Sequence, residues 1–416
     1  MTAQGTPDEL FTVLEHGDGD ALLQYGAAHP ELAVTDVHVV AALGRADVLR
    51  GLLVRDPEAV RRTAGPQAFT PLLAACASPL HGRSPVHDAA LDETVAVLLA
   101  AGADPNVRES RHGVSALYFV TGHREVPTVA RRLLAAGATP NDGESVFHAA
   151  EHFHEAALAL LLEYHVDLNH VGDWGNTPLY FLLRWFDISD NSALRRGFDW
   201  LLAHGANPDV RSSPMQETAL HVAAWQGQSV DVLQALLTHG ADVSLRRADG
   251  LSAWQLAARR GFTAQAELLA RAGAPVAPLS QDEQLLAACG RGDADAARAA
   301  MTAGWFARLS EDDQRLLPWA ASRGREDVVR ACLAVGWPVD VRDGMGATAM
   351  HWAAMQGRAS LVAALLDAGA PQDLRDHEHQ ATPRGWAEFG RDVAPHPGAD
   401  YTGTLTLLAA DHERAS

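Results

Sequence analysis

The 416-residue sequence contains no lysine, so all 33 of its basic residues are arginine. That absence excludes chemistry run through a lysine amine: Schiff-base catalysis, the lysine of a phosphate-binding P-loop, and the lysine of a protein kinase. Cysteine is nearly absent as well. Cys76, Cys289 and Cys332 lie far apart and form no C-x-x-C pair, which removes zinc ribbons and thioredoxin-like redox motifs. They read as three small core residues in a reducing compartment. No run of 18 apolar residues occurs, so no membrane-spanning segment is expected, and the opening residues lack the basic and apolar regions of a cleaved signal. The expected location is cytoplasmic. Long basic runs are missing too, with only pairs such as Arg61-Arg62, Arg131-Arg132 and Arg259-Arg260. Against 52 acidic residues the formal net charge is −19, which argues against nucleic acid or an anionic membrane as partner. The alanine-rich, lysine-free composition suggests a GC-rich bacterial genome.

What is present is a period. Thr177-Pro178-Leu179-Tyr180, Thr218-Ala219-Leu220-His221 and Thr348-Ala349-Met350-His351 are variants of one phrase, with looser copies opening at Thr70, Ser115, Ser145, Ser252 and Thr382. Most are followed by an aliphatic run closed by Gly-Ala, at Gly102-Ala103, Gly137-Ala138, Gly205-Ala206, Gly240-Ala241, Gly273-Ala274 and Gly369-Ala370. Nine intervals from Thr70 to Thr382 average about 35 residues. The opening hydroxyl suits a helix N-cap, and Pro178 suits the first helical position, where no donor is lost. The glycine of Gly-Ala suits a left-handed helix stop. Paired alanines, such as Ala223-Ala224 and Ala353-Ala354, let neighbouring helices stack closely, and the histidine can tie adjacent loops together.

These phrases resemble the ankyrin-repeat family over nearly the whole chain. The resemblance implies an all-α solenoid of about twelve helix-turn-helix repeats joined by short hairpin loops. It also implies a protein-protein interaction module or scaffold that presents a preformed concave surface to a protein partner, with no cofactor and no enzymatic activity. Residues 1–66 read as degenerate N-terminal repeats and 67–278 as central repeats with two insertions (78–92 and 186–198). Residues 279–312, lacking both the phrase and the Gly-Ala ending, read as a degenerate repeat and possible hinge, and 313–416 as C-terminal repeats and cap. Repeats that contact only their neighbours bend or open first at a weak member.

Aromatic and arginine positions carry the binding expectation. Aligned to the repeat, Trp174, Trp185, Trp225 and Met355 fall in the loop tip or just after the paired small residues, positions that in this family face the groove. Arg184, Arg259, Arg260 and Arg323 occupy comparable slots. Exposed aromatics are enriched at binding hot spots, and arginine pairs with partner carboxylates. Trp319, Trp352 and Trp386 recur just after the histidine slot and read as a packed aromatic ladder. Two other readings stand beside docking. His148, Glu151 and His152 match H-x-x-E-H, the inverted zinc-protease signature, which would make the chain a metal-dependent hydrolase. His148, however, already occupies the repeat's own histidine slot. The H-x-H pairs His152/His154 and His377/His379 have no cysteine nearby and read as surface decoration. The chain could instead be a structural protein that self-associates through its ends, although a monomer is expected. No G-x-S-x-G elbow, G-x-G-x-x-G turn or H-E-x-x-H is present, so no catalytic residue is assigned.

Overall fold

The computed structural model describes residues 8–16, 18–172, 174–189, 192–212 and 214–409. The opening residues read above for a signal (1–7), Asp190 and Asn191 of the second insertion, and residues 410–416 of the expected C-terminal repeats and cap lie outside them. The regular structure among the described residues is helical, and the loops between repeats carry isolated antiparallel bridges such as Arg108 with Ser115, Ser212 with Glu217 and Arg342 with Thr348. Among the described residues twelve helix pairs follow one another in sequence, from Asp8–His16 with Gly19–Ala28 to Pro383–Asp392 with Tyr401–Leu407. They fall in two compact units. One holds the residues up to Asp242 together with Arg247–Asp249, and the other holds Val243–Arg246 and everything from Gly250 on. Seven pairs lie in the first unit and five in the second.

The local chemistry follows the phrase. Ser115 Oγ accepts the Tyr118 N–H at 3.0 Å and Thr177 Oγ1 accepts that of Tyr180 at 3.2 Å, each capping the first helix of its pair. Where histidine stands at the fourth position the cap is reciprocal. The Thr348 N–H donates to His351 Nδ1 at 3.1 Å, and His351 Nε2 reaches the Ala381 carbonyl of the next loop at 3.2 Å. The histidine therefore does tie neighbouring loops. Ser145 departs from the pattern: it lies inside its helix, and Asp142 caps in its place, its Oδ1 accepting from the Ser145 N–H at 2.8 Å. The Gly-Ala glycines are left-handed, as at Gly205 (φ 95°).

Both insertions are packed into the repeats. In the first, Leu80 is buried and the Ser78 hydroxyl donates to the Ala42 carbonyl at 2.7 Å, while residues further on lengthen the second helix to Pro85–Ala100. In the second, Ile188 is buried and its N–H donates to Gln228 Oε1 at 3.2 Å. The amide of Gln228 turns back to the carbonyls of Leu183 and Phe186.

In the second unit one buried cluster runs from Leu285 to Leu408. The degenerate repeat joins it through Gln281–Gly290 and Ala294–Ala300, then fills its loop with two single turns, Trp305–Arg308 and Glu311–Gln314. Trp305 and Trp337 meet at 5.0 Å between ring centroids, Phe306 stands edge-on to Trp337, and Trp337 Nε1 donates to the Gln314 carbonyl at 3.0 Å. Gly336-Trp337 is thus a version of the Gly-Ala stop in which a tryptophan replaces the alanine and reaches into the core, whereas the left-handed Gly304 opens the turn Trp305–Arg308. The expected ladder is joined at one end, Trp352 and Trp386 being perpendicular at 5.0 Å. Trp319 meets Phe262 at 5.9 Å and lies under the Arg260 guanidinium.

Close backbone approach is the tightest packing demand. A Cβ on Gly390 would stand 2.2 Å from the Met355 carbonyl oxygen, whereas one on the exposed Gly51, in the second helix Ala46–Arg55, would meet nothing within 4 Å. Gly390→Ala is therefore expected to cost about 1–3 kcal/mol through overpacking. Gly51→Ala should stabilise by up to about 1 kcal/mol through helix propensity. Urea unfolding midpoints moving in opposite directions would check the pair, and a Gly390→Ala variant as stable as the parent would contradict the packing.

Candidate functional site

The aromatic residues that the first unit leaves to solvent gather on the side made by its loops and the first helices of its pairs. Trp174, in the loop before Pro178–Trp185, is 76% exposed, and Trp185, at the end of that helix, is 65% exposed. Trp174 is oriented, since its Nε1 donates to Glu144 Oε1 at 3.0 Å. Two cavities share it and Glu144 as a common wall. The larger, about 440 Å³, is faced by Phe69, Tyr118 and Phe119, with Glu109, Gln67 and His148 among its polar lining. The smaller, about 270 Å³, lies among Phe147, Phe181, Trp185 and Asn176.

The polar groups here are mostly acceptors. Glu109 is buried, and the N–H groups of Arg111, His112 and Val114 all donate to its side-chain oxygens, at 2.7, 2.6 and 3.2 Å. Gln67 Oε1 and Asn176 Oδ1 are buried with no hydrogen-bond partner in the folded chain. His148 sits between carboxylates, its Nδ1 2.6 Å from Glu151 and its Nε2 3.2 Å from Glu144. Burial opposes the charged ring, but these hydrogen bonds and the attraction of both carboxylates overcome it and raise its pKa to about 9. Glu144 is held below the usual range. Burial acts to raise it and is outweighed by the hydrogen bonds from His148 and Trp174. At neutral pH this is an imidazolium donating to two carboxylates.

That geometry decides how the H-x-x-E-H helix can act. Both ring nitrogens of His148 are committed to carboxylates, and His152 Nδ1 is 2.9 Å from the His148 carbonyl. Among the described residues no group of three or more histidine, cysteine or carboxylate side chains is arranged to hold a metal ion. His152 and His154 stack on one another, centroids 5.4 Å apart.

The other candidates are placed unevenly. Trp225 is only 5% exposed, under the Arg247 guanidinium at 5.6 Å, which is itself paired to Glu217 and Asp249. The expectation that Trp225 faces a groove is thus corrected: the ion-paired arginine closes over it. Arg184 is half-buried, 6.0 Å from the Trp185 ring. In the second unit Arg260 is 3% exposed over Trp319, and Arg259 pairs with the buried Asp313. Arg260 is therefore a packing residue and Arg259 is held by an internal carboxylate. Arg323 is half-buried at the end of Leu316–Ser322. Met355 lines a separate, almost wholly apolar cavity of about 420 Å³ with Met345, Trp352, Trp386 and Phe389.

Sequence reading passed over Phe119 and Phe181. Both stand just after the phrase's fourth position, the slot that holds Trp352 and Trp386, and in that slot they line the first unit's cavities. The alignment that found the tryptophans would have found them. Gln67 and Asn176 carry no sequence signal.

A family model described as ankyrin repeats matches residues 146–247, 191–277 and 285–376, and one described as ankyrin repeat matches 81–110. Among curated proteins the chain is similar to the E3 ubiquitin-protein ligase KEG of Arabidopsis thaliana, 29% identical over 165 residues, 36% of this chain and 10% of that protein. It is also similar to the B-cell lymphoma 3 protein homolog of Mus musculus, 30% identical over 158 residues, 36% of this chain and 34% of that protein. The chain thus spans a tenth and about a third of these relatives. They come from a plant and a mouse and lend no support to the bacterial origin suggested by composition. The solved human ASB11 ankyrin repeat domain is 24% identical, with a TM-score of 0.42, covering 58% of this chain and 100% of that one.

The His148 cluster generates a pH dependence. Folding raises its proton affinity, so its stabilisation is complete below the ordinary value of 6.5, fades as pH rises and is gone above about 9. The parent should exceed His148→Gln by about 2–3 kcal/mol at pH 6, and the difference should close by pH 10. Urea unfolding at the two pH values measures this, and a pH-independent difference would contradict the assignment.

Proposed function

The chain belongs to the ankyrin-repeat family, and from that premise we propose that it is a non-catalytic interaction module. It docks a protein partner on the loop-and-first-helix side of its first unit. The observation that carries this is the pair of exposed tryptophans, Trp174 and Trp185, at the rims of adjoining cavities. Large aromatic surface in water is unfavourable unless something covers it, and tryptophan is the residue most enriched at binding hot spots. A face built on packed helices loses little conformational freedom on binding. Hydrolysis at His148 is disfavoured by the same geometry, since a ring donating to two carboxylates has no lone pair to offer a metal.

A random-peptide phage library panned on the intact chain tests this. Enriched peptides should lose at least about tenfold in affinity on Trp174→Ala/Trp185→Ala, the loss of two hot-spot residues. They should be unaffected by Val54→Ala, an exposed residue on a second helix, Ala46–Arg55. Circular dichroism would verify that each variant folds. Peptides indifferent to the double variant would overturn this docking face.

A further inference from the structure

We propose that the two cavities flanking Trp174 take arginine side chains from an extended segment of the partner, a reading that rests on the docking face proposed above. The walls of the two cavities are mainly aromatic faces, Phe69, Tyr118 and Phe119 in the larger and Phe147, Phe181 and Trp185 in the smaller, with Trp174 and Glu144 common to both. A planar cation fits such walls, since it stacks on aromatic faces while its N–H groups donate to a carboxylate.

Charge points the same way. The larger cavity is bordered by Glu15, Glu109 and Glu144. Against them stand His148, whose charge is taken up by Glu144 and Glu151, Arg108, whose charge also acts on Glu144, and the exposed Arg111, which reaches Glu15 at 3.1 Å. An anionic ligand would meet three carboxylates there. A guanidinium would meet carboxylates and the faces of Phe69, Tyr118, Phe119 and Trp174, the combination that favours cation–π contact. Arginine suits it better than lysine because its planar group stacks and donates in a fork at once. The chain uses this pairing internally: Arg247 lies 5.6 Å from Trp225, Arg260 5.2 Å from Trp319 and Arg196 4.7 Å from Phe153. Because Trp174 and Glu144 belong to both cavities, one extended segment can fill both.

The test uses the full chain and fluorescein-labelled 12-residue Gly/Ser peptides carrying two arginines, two lysines, two glutamines or two glutamates, read by fluorescence anisotropy. The arginine peptide should bind at least about tenfold more tightly than the glutamine peptide, and its affinity should fall as salt rises. Trp174→Leu, which keeps apolar bulk but removes the ring, should weaken it about fivefold, and Trp174→Phe should restore most of that. Glu144→Gln should weaken it as well. Equal binding of arginine and glutamine peptides overturns the proposal. So does arginine binding indifferent to Trp174→Leu, which would place the peptide elsewhere on the acidic surface. Library peptides that lack arginine yet lose binding in Trp174→Ala/Trp185→Ala would overturn this inference while leaving the docking face standing. Peptides indifferent to that double variant would overturn both.

Discussion

The constraint from which the rest of the structure follows is how closely backbones approach where neighbouring repeats stack. A Cβ on Gly290 would fall 2.0 Å from the Arg260 carbonyl oxygen, and one on Gly197 would fall 1.8 Å from that of Ala150. Ala223, Ala224, Ala353 and Ala354 are completely buried at comparable places in their repeats. No single pair of short helices buries enough apolar surface to stand alone, so within each unit stability comes from each pair lying tightly on the next. Side chains on the loop side are freed from that duty. Aromatics such as Phe119 and Phe181 can line cavities there without weakening the stack.

The parts of this design that are local in sequence were legible. Hydroxyl caps, left-handed glycines, paired alanines and the count of twelve pairs could be read because each depends on a few consecutive residues repeated many times. The degenerate repeat was half legible. Its helices showed in the periodicity, but the two single turns Trp305–Arg308 and Glu311–Gln314 that fill its loop follow no repeated phrase. The candidate site was least legible. Trp174 and Trp185 were found as aromatics out of place in the repeat, whereas the burial of Trp225 depends on Arg247, held by Glu217 and Asp249 at the next loop. Exposure is a tertiary property, and one exposed and one buried tryptophan look alike in the phrase.

The same logic accounts for the polarity of the site. The loops are held by carboxylates that accept several backbone donors at once. Glu109 collects three such N–H groups, and Asp142 takes those of Glu144 and Ser145. Loops built this way accumulate negative charge as a by-product of being ordered. An acidic face is thus a structural consequence in this chain before it is a binding property.

Gln228 has a different kind of consequence. Its amide serves Leu183, Phe186 and Ile188, all at or beside the one insertion that interrupts the sixth helix pair. In a chain of near-identical units the characteristic folding error is slippage, in which a repeat docks on a neighbour one period out of place. Alanine stripes and hydroxyl caps are too alike to prevent it. A glutamine whose partners exist at a single point in the chain works as an address. The seventh pair fits fully only behind the sixth, and the first unit acquires an order that its repeated phrases alone would leave ambiguous.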